Sequence, residues 1–483
     1  MSFTWPEMLA ALQREGLVVS RPDTGADISG VQTDSRTVAV GDVFVAVPGS
    51  DTDGHRFLDD AVRRGATAVV VERPGVSPTV PEVVVHDARR AALVLAEEWY
   101  GKPADRLDLI GITGTNGKTT TIQLVRHLLN ERETVGTIGT LGAFDGLGEP
   151  VPSSAGLLTT PGAVDLQATL ASLVARGTLT VALEASSHSL EQGRLDGLTF
   201  AAVIFTNLSR DHLDYHGTME AYRAAKLRLA DYLAPDGVAI VNRDDDSWGD
   251  VSAPRVVTFG IEVEADVRAG HLSMDSSGSR FELTGNFGTR VIALPLLGGF
   301  NVHNALGAAA CALSLGLDIG AVARRLESAP QVPGRMDLIS GRPCPVLRDY
   351  AHTPDALERV LRSLKPLVRG RLIVVFGCGG DRDRGKRPIM GRIASEWADL
   401  PVLTSDNPRT EDPEAILDDV EQGMADGHIR ITDRREAIEA ALNAARSEDT
   451  VLLAGKGHET YQIIGQERHP FDEVSIVQDL VGS

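Results

Sequence analysis

Three apolar runs in the middle of the chain are bounded by polar residues and predict buried strands. They are Val181–Ala185, Ala202–Asn207 and Val238–Asn242, and helical patterns such as Val164–Arg176 separate them. Near-continuous apolar strands that alternate with amphipathic helices are typical of a mostly parallel sheet covered on both faces. In such a sheet, ligand-binding groups gather at the carboxyl ends of the strands.

The two flanking parts of the chain show the same alternation of helix and strand patterns. The first part predicts helices near Met8–Glu15, Phe57–Arg64 and Ala88–Trp99, and strands at Val43–Val47, Ala68–Val71 and Glu82–Val85. The last part predicts strands at Val346–Asp349, Leu372–Phe376, Val402–Thr404 and Val451–Ala454, and helices that start near Pro354, Pro388 and Pro413. Proline is well tolerated in the first turn of a helix.

These patterns predict an α/β protein of three domains. Residues 1–103 form a small mixed α/β domain, which ends at the glycine and proline of 101–103. Residues 104–335 form the central parallel-sheet domain, and residues 336–483 form a Rossmann-like C-terminal domain.

Three further elements are expected within and at the end of the central domain. Met219–Leu233 reads as one helix that carries Lys226, which on its own would be a solvated lysine. The alternating stretch 266–294 predicts a β-hairpin packed on the sheet. Another helix follows residue 298, with Asn301 as its N-cap and Asn304 one turn in; the Asn304 amide suits a purine edge or a plain polar helix position.

A glycine turn that carries Lys118 and Thr119 lies between a predicted strand at 108–113 and a predicted helix at 119–129. Its glycines let backbone N–H groups close on phosphate oxygens, its lysine adds a full positive charge, and its threonine hydroxyl can bind Mg²⁺. The spacing departs from the common phosphate-loop pattern, because Ile112 stands where the first glycine would fall. We predict a nucleoside triphosphate site at this turn, formed by Gly114, Thr115, Asn116, Gly117, Lys118, Thr119 and Thr120.

Composition narrows the class of protein. The 483 residues carry a net charge of -20, which argues against a nucleic-acid binder that works through a general basic surface. The three cysteines lie far apart and fit neither a disulfide framework nor a zinc motif. The N-terminus lacks a leader pattern, and no apolar run is long enough to cross a bilayer. We expect a cytoplasmic protein.

Polar residues that follow the predicted strands are candidates for chemistry. Glu184 follows one central strand and His212 follows the next, so together with Thr119 they could complete a Mg²⁺ shell. Alternatively, each caps a helix or lies in the core. In the last domain, Arg382 and Arg409 could each bind a carboxylate, while Asp406 and Glu459 could pair with an ammonium group. Those four residues suit a pocket for a zwitterionic amino acid, the alternative being a surface salt-bridge network.

Taken together, five motifs resemble those of the Mur ligases of peptidoglycan precursor synthesis, in that family's order and over nearly the whole chain. The similarity is greatest to the MurE type. The motifs are Gly-Thr-Asn-Gly-Lys-Thr-Thr at 114–120, Glu-Ala-Ser-Ser-His-Ser at 184–189, Thr-Asn-Leu-Ser-Arg-Asp-His-Leu-Asp-Tyr-His-Gly at 206–217, Asp-Tyr-Ala-His-Thr-Pro at 349–354, and Gly-Lys-Gly-His-Glu-Thr-Tyr at 455–461. The family's shorter phosphate loop also accounts for Ile112.

The resemblance implies roles for individual residues. The uridine diphosphate group would be held by Thr33, Ser35, Ser50, Asp51 and Thr52, although the residues around Thr33 alone predict only a side-chain-stabilised turn. The muramoyl dipeptide would be held by Thr159, Thr160, Ser186, Gln192 and Arg194. The nucleotide would also contact Asn304, Arg335 and Asp349. The amino acid would be held by Arg382, Asp406, Asn407, Pro408, Arg409, Gly455 and Glu459.

The resemblance also implies the cofactors, the substrate and the reaction. Lys226 matches a lysine that carries CO₂ as a carbamate, and Thr119, Glu184, His212 and Lys226 would hold Mg²⁺ beside ATP and Lys118. The run Asp406–Arg409 goes with meso-diaminopimelate in this family, because an arginine would repel the side-chain ammonium of lysine. The expected enzyme is an ATP-dependent ligase that adds meso-diaminopimelate to UDP-N-acetylmuramoyl-L-alanyl-D-glutamate through an acyl phosphate.

Two alternative functions agree with part of the sequence. A folylpolyglutamate synthase-like ligase shares the central domain, but the first domain and Asp406–Arg409 argue against it. A non-catalytic nucleotide switch or transporter subunit would need no amino-acid pocket. We expect a monomer that acts on small molecules, without nucleic-acid or membrane partners.

Overall fold

The computed structural model of the protein describes residues 3–49, 52–75, 79–153 and 158–482. The chain divides into two compact units. The first unit comprises Met1–Gly111, Arg132–Ala201 and Asp231–Pro235, and the second comprises Ile112–Glu131, Ala202–Ala230 and Asp236–Ser483. The architecture is mixed α/β throughout, as the alternating patterns predict.

The amino-terminal part of the first unit is a five-stranded sheet with helices packed on it. Its elements are α1 (Trp5–Arg14), β1 (Val18–Ser20), β2 (Gly30–Gln32), β3 (Asp42–Val45), α2 (Leu58–Arg64), β4 (Ala68–Val71), β5 (Glu82–Val85) and α3 (Ala88–Tyr100). The strand order is β1–β5–β4–β3–β2, parallel except where β1 meets β5. Apolar side chains fill a separate core on each face of the sheet.

The elements that follow carry the phosphate-loop motif and the first polar strand ends. They are β6 (Asp108–Thr113), α4 (Lys118–Leu129), β7 (Val135–Gly139), β8 (Gly142–Phe144), α5 (Ala163–Ala175), β9 (Thr180–Glu184), α6 (Ser187–Glu191) and β10 (Phe200–Phe205). In the first unit the strand order is β6–β9–β7–β8. The predicted strands and helices of this region are confirmed within one or two residues.

The second unit continues with a run of strands and two long helices. The elements are α7 (Leu213–His216), α8 (Met219–Leu227), β11 (Leu233–Asn242), β12 (Arg255–Gly260), β13 (Val267–Asp275), β14 (Gly278–Gly285), β15 (Arg290–Leu294), α9 (Gly299–Ser314) and α10 (Ile319–Glu327). In this unit the strand order is β6–β10–β11–β12–β13–β14–β15.

The last part of the second unit is a six-stranded sheet between helices. Its elements are β16 (Arg335–Ser340), β17 (Val346–Asp349), α11 (Pro354–Leu364), β18 (Leu372–Phe376), α12 (Lys386–Trp397), β19 (Leu400–Leu403), α13 (Pro413–Glu421), β20 (Ile429–Arg430), α14 (Arg434–Ala444), β21 (Thr450–Ala454), β22 (Tyr461–Ile464), β23 (Glu467–Pro470) and α15 (Glu473–Gly482). The order is β16–β17–β21–β18–β19–β20, and β22 pairs with β23 in a separate hairpin. Each face of the six-stranded sheet has its own apolar core.

Three local predictions are wrong. The helix that carries Lys226 ends at Leu227 and continues as a 3₁₀ helix to Tyr232, so Leu233 already belongs to β11. The stretch 266–294 forms three strands rather than a hairpin packed on the sheet, because β13 pairs directly with β12. Helix α9 has Gly298 as its N-cap, and Asn301 lies inside the helix with its amide donating to the Leu297 carbonyl at 2.9 Å.

The described residues contain neither a membrane-spanning helix nor a ready-made cluster of metal ligands. Among the helices of those ranges, none is both long enough and apolar enough to cross a membrane. Nor do His, Cys, Asp and Glu side chains gather there in threes or more as ready-made metal ligands.

Candidate active site

The phosphate loop runs from the end of β6 to the start of α4. Gly114 and Gly117 both have positive φ, and a Cβ on Gly117 would collide with Oδ1 of Asn304. The glycine therefore permits the conformation and also brings the predicted purine-binding side chain against the loop. Because α4 begins at Lys118, the N–H groups of its first turn point out of the helix end, where they favour an anion.

The loop is braced by the end of β10. The backbone N–H of Thr115 donates to the Asn207 carbonyl at 2.7 Å, and that of Asn116 donates to Asn207 Oδ1 at 3.0 Å. Thr206 Oγ1 and Asn207 Nδ2 both donate to the Asn116 carbonyl, at 2.7 and 3.0 Å. Asn116 is thus held through both its backbone N–H and its carbonyl, and the residues after β10 keep the loop in shape.

Two lysines converge on one carbonyl of this loop. Lys118 Nζ donates to the carbonyls of Gly114 and Thr115, at 2.9 and 2.8 Å, and Lys226 Nζ donates to that of Gly114 at 2.7 Å. Lys226 is 1% exposed. Burial first, and then the charge of Lys118, hold the pKa of Lys226 well below its usual range, while Asp211 opposes them. Burial therefore favours the neutral amine form of the Lys226 side chain.

His212 lies on the same side of the loop as Lys226. The Tyr222 ring has Lys226 Nζ 4.6 Å from its centroid and the His212 ring 6.1 Å away, edge-on. His212 has a positive φ, and Oδ1 of Asp211 accepts its backbone N–H at 2.9 Å. Burial lowers the pKa of His212, assisted by both lysines, so the imidazole is neutral and able to bind a metal ion.

Arg335 and Asp349 close the loop from the C-terminal sheet. Arg335 Nη2 donates to Thr119 Oγ1 at 3.1 Å, and its guanidinium lies 4.7 Å from the Tyr350 ring centroid. Asp349 accepts the N–H groups of Met336 and Ala351, both at 2.8 Å. Burial raises the pKa of Asp349 to about 6, although Arg335 and these hydrogen bonds oppose it. Asn304 and Arg335 thus touch the loop, whereas Asp349 supports Arg335 from behind.

Glu184 stands at the carboxyl end of β9, in the first unit. It is 1% exposed, and its two oxygens accept the backbone N–H and the hydroxyl of Thr140 at 3.0 and 3.1 Å. The Glu184 carboxylate is therefore held by hydrogen bonds within the protein and is not solvated. As a hard oxygen ligand it suits Mg²⁺.

The five residues assigned to the muramoyl dipeptide form one polar network with Glu184. Thr159 Oγ1 lies 3.2 Å from Thr140 Oγ1, and Thr160 Oγ1 lies 2.6 Å from the Glu184 carbonyl and 3.2 Å from Ser186 Oγ. Arg194 donates to the Thr160 carbonyl and to Gln192 Oε1, each at 3.0 Å. The structure brings this predicted set together.

The uridine set lies in the amino-terminal sheet. Asp34 accepts the N–H of Arg36 at 2.9 Å, so the turn interpretation of this segment holds locally, and Ser35 is buried inside it. Ser50 and Asp51 lie outside the described residues, whereas the Thr52 carbonyl accepts the Gly49 N–H at 3.0 Å. A cavity of ≈ 550 Å³, lined by residues that include Pro48 and Asp53, lies beside this loop.

The amino-acid set surrounds a lysine that sequence reasoning missed. Lys456 is fully buried, and its ammonium lies 3.1 Å from Asn407 Oδ1, 3.3 Å from Glu459 Oε2 and 3.6 Å from Asp406 Oδ1. Asn407 Nδ2 also donates to Glu459 Oε2 at 3.0 Å. Asp406 and Glu459 therefore already share a cation from the chain itself, whereas the sequence suggested that both wait for a ligand's ammonium.

Arg409 is presented by backbone contacts with the β22–β23 hairpin. It has a positive φ, its N–H donates to the Ile463 carbonyl at 3.1 Å, and its carbonyl accepts the Gly465 N–H at 2.7 Å. Its guanidinium donates to the Gly380 carbonyl at 2.9 Å. Burial lowers the pKa of Arg409, and the charge of Arg382 adds to this effect.

Backbone strain marks the same places. Within the described ranges, six residues other than glycine have positive φ, and four of them are His212, Met336, Asp381 and Arg409. Each of the four is a predicted site residue or the direct neighbour of one. Such conformations persist where the surroundings enforce them, and they concentrate at functional sites.

Three models of the same family match the chain. The Mur ligase family, catalytic domain, matches residues 27–106; the Mur ligase middle domain matches 112–312; and the Mur ligase, glutamate ligase domain, matches 334–457. These three matches agree with the three-domain α/β architecture expected from the sequence.

Relatives and solved structures extend the similarity. The chain is 43% identical over 469 residues to the UDP-N-acetylmuramoyl-L-alanyl-D-glutamate--2,6-diaminopimelate ligase of Geobacillus thermodenitrificans, covering 94% of this chain and 95% of that one. It is 44% identical over 456 residues to the Gloeobacter violaceus protein of that name, covering 92% of each. A solved ligase of that name superposes with a TM-score of 0.67 at 36% identity, over 100% of this chain and 99% of the other. MurF from Acinetobacter baumannii, at 21% identity and a TM-score of 0.69 over 100% and 99%, shares the fold.

Proposed function

The chain belongs to the Mur ligase family, and on that premise we propose that it adds diaminopimelate to UDP-N-acetylmuramoyl-L-alanyl-D-glutamate with the energy of ATP. The observation that carries this proposal is the full-length likeness to relatives that bear the name of this activity. The geometry supports it at two places in the second unit, the phosphate loop at Lys118 and the pocket at Arg409.

ATP would bind with its phosphates on the loop. The first-turn N–H groups of α4 and the Lys118 ammonium would meet the phosphate oxygens, and Asn304 would meet the purine edge. Arg335, fixed between Thr119 and the Tyr350 ring, would lie along the phosphate chain. Lys118 would then release the Gly114 and Thr115 carbonyls, which occupy its ammonium in this structure.

Mg²⁺ fits the residues present on one condition. Within the second unit, Thr119 offers a hard oxygen and His212 a neutral imidazole, but an ammonium at Lys226 would repel a cation. Glu184, in the first unit, is added to this set by the family resemblance alone. A carbamate at Lys226 removes that conflict, and the buried amine with its lowered pKa is suited to react with CO₂. When bound, the metal ion would offset negative charge on the phosphates of ATP.

The reaction would proceed in two steps. An oxygen of the glutamate γ-carboxylate attacks the γ-phosphorus of ATP, and ADP leaves, which gives an acyl phosphate. The amine of diaminopimelate then attacks the acyl carbon, loses a proton, and phosphate leaves as the amide forms. Lys118 and Arg335 hold the phosphoryl oxygens during the first step, so that positioning and charge neutralisation supply most of the acceleration.

Arg409 and Arg382 would choose the amino acid. The far carboxylate of meso-diaminopimelate would lie between the two guanidinium groups, whereas lysine would bring a third positive charge into the same space. Pro408 fixes the turn between Asn407 and Arg409, and Gly455 leaves room beside Asp406, where a Cβ would crowd the carboxylate.

The remaining expectations belong to the same proposal. The domain bounds are 1–103, 104–335 and 336–483; the muramoyl dipeptide contacts Thr159, Thr160, Ser186, Gln192 and Arg194; and the uridine diphosphate contacts Thr33, Ser35 and Ser50–Thr52. The enzyme acts in the cytoplasm as a monomer.

Phosphate release measured with single omissions tests the proposal. Purified protein should release phosphate only when ATP, the UDP-muramoyl dipeptide and meso-diaminopimelate are all present, and mass spectrometry should find the tripeptide nucleotide. L-Lysine in place of meso-diaminopimelate should give little product. ATP consumption without that product would refute the function, and glutamate added to a folate would favour the folylpolyglutamate synthase alternative.

A further inference from the structure

A carboxylate from the C-terminal sheet reaches the phosphate loop. Asp355, in the first turn of α11, accepts through Oδ2 from Asn116 Nδ2 at 3.0 Å and from Ser209 Oγ at 2.8 Å. Its other oxygen accepts from Arg359 Nε at 3.0 Å, one turn along the same helix. Asn116 and Asp355 are 239 positions apart in sequence, so this contact is purely tertiary.

Asp355 binds a part of the loop that is also held by the segment after β10. The peptide groups of Asn116 are fixed by Thr206 and Asn207, but its side chain points to Asp355. Ser209, the second donor to Asp355, also donates its N–H to Thr115 Oγ1 at 3.0 Å. One carboxylate oxygen therefore joins two segments that shape the phosphate-binding turn.

The segment that leads into Asp355 touches the amino-acid side as well. The Asp349 carbonyl accepts the Gly455 N–H at 3.0 Å, and the Tyr350 ring lies 5.3 Å from the His458 ring. The His352 carbonyl accepts from Lys386 Nζ at 2.9 Å, at the start of α12. We call residues 349–355 the linking segment. At one end, through Asp355, it binds the phosphate loop. Along its length it contacts the loops that carry the amino-acid set.

We propose that Asp355 is a positioning residue that couples occupation of the phosphate loop to binding of the amino acid. This rests on the proposed function, since it assigns the two ligands to the two ends of the linking segment. Asp355 itself would touch neither ligand. A ligand that fixes Asn116 would also fix Asp355 and the linking segment, and so would present Lys386 and Gly455 in the arrangement that the amino acid requires.

Coupling of this kind is reciprocal, which makes it measurable. If a non-hydrolysable ATP analogue raises the affinity for meso-diaminopimelate by some factor, the amino acid must raise the affinity for the analogue by the same factor. We expect a factor of about five to ten in the unmodified protein, at the low end of usual couplings. The measurement is titration calorimetry of each ligand with and without the other, on the full chain with the UDP-muramoyl dipeptide bound.

Asp355→Ala should bring this factor close to one, with the affinity of each ligand alone changed about twofold or less. Asp355→Asn keeps one acceptor oxygen and should retain part of the coupling, and Ser209→Ala should lower it about twofold. Glu358→Ala is the matched control, because Glu358 is an acidic residue of the same helix that faces Arg362 at 3.7 Å. It should leave the factor unchanged.

Two results would overturn the proposal. One is a factor of one in the unmodified protein. The other is a factor that stays at its full value in Asp355→Ala or, if that variant does not fold, in both Asp355→Asn and Ser209→Ala. Either result leaves the function itself standing, because formation of the tripeptide nucleotide by the unmodified protein is a separate measurement.

Discussion

The two halves of the catalytic apparatus in the second unit are built in different ways. The phosphate loop is seven consecutive residues, and backbone groups make most of its contacts with β10. The amino-acid set comes from three loops, two of which are joined by side chains around Lys456. The function of a consecutive motif can be predicted from the sequence. The function of a pocket assembled from distant loops also depends on which of its charged side chains are already paired with each other in the fold.

The two regions also differ in how their charged side chains are arranged. At the loop, the side-chain nitrogens of Lys118 and Lys226 share the Gly114 carbonyl, and Lys118 carries the positive charge that suits a polyanion. In the pocket, Asp406 and Glu459 neutralise Lys456, and the excess positive charge lies on Arg382 and Arg409. The first region therefore selects by total charge, and the second by the position of one carboxylate.

The largest effect is expected at Lys226. Lys226→Ala should lower kcat about 10³-fold, because the carbamate that we propose at this position would be lost beside the phosphate loop. Small carboxylates such as formate or acetate should restore part of the activity by occupying the vacated space. Steady-state phosphate release with and without these anions is the measurement.

Arg223→Ala serves as the control for Lys226. Arg223 lies on the same helix, and its guanidinium pairs with Asp250 at 2.6 Å. Its loss should leave kcat unchanged. Full activity of Lys226→Ala would remove the carbamate from the mechanism and make the loop depend on Lys118 alone.

Lys456 tests whether the pocket is held together by its own cation. Lys456→Met should lower the free energy of unfolding by about 3 kcal/mol, since it leaves the buried Asp406 and the partly buried Glu459 without their counter-charge. Lys365→Met, which removes a half-exposed lysine paired with Asp399 at 2.6 Å, should cost less than about 1 kcal/mol. Urea unfolding of both variants gives the comparison, and equal losses would show that the Lys456 pairs contribute nothing special.

Arg409 tests the selectivity of the pocket against that of the loop. Arg409→Ala should raise the KM for meso-diaminopimelate about 10²-fold and leave that for ATP within about twofold, because a buried charge-assisted contact is lost at one ligand only. Arg384→Ala, which removes an exposed guanidinium paired with Glu411 at 2.9 Å, should change neither KM. Equal increases in both KM values would exclude Arg409 from the amino-acid pocket.

Sequence reasoning succeeded where the signal was local. Strands β4, β5, β17 and β18 lie at their predicted bounds, and in β4 and β18 burial on both faces leaves no polar positions to confuse the pattern. It failed at Asn301, since Gly298 took the N-cap position and left the amide inside the helix. It failed again at 266–294, where alternation identifies strands but not the neighbours with which they pair.

The site shows the same division. The loop residues and the order of the motifs were readable, but Lys456 was passed over as one letter of Gly-Lys-Gly-His-Glu, and Asp355 as one residue of a helix start. Both act through partners 49 to 239 positions away in sequence. A signal for Lys456 existed, since it follows the end of a buried strand, as Asp406 does.

The smallest effect concerns Asp349, which lies between the two regions. Its folded pKa of about 6 lies above the 3.8 of an unperturbed aspartate, because burial disfavours the charge. The protonated form therefore stabilises the fold fully below pH 3.8, and that contribution is lost as the pH rises to about 6. Between pH 5 and pH 8 the free energy of unfolding should fall by about 1 kcal/mol relative to Asp349→Asn.

Asp449 is the control. Burial raises the pKa of Asp449, but hydrogen bonds from Arg371 lower it on balance. The free energy of unfolding of Asp449→Asn should therefore differ from that of the unmodified protein by a constant amount over this range. Urea unfolding at four pH values measures both differences, and a constant difference for Asp349→Asn would mean that Asp349 stays ionised and supports Arg335 as a full charge.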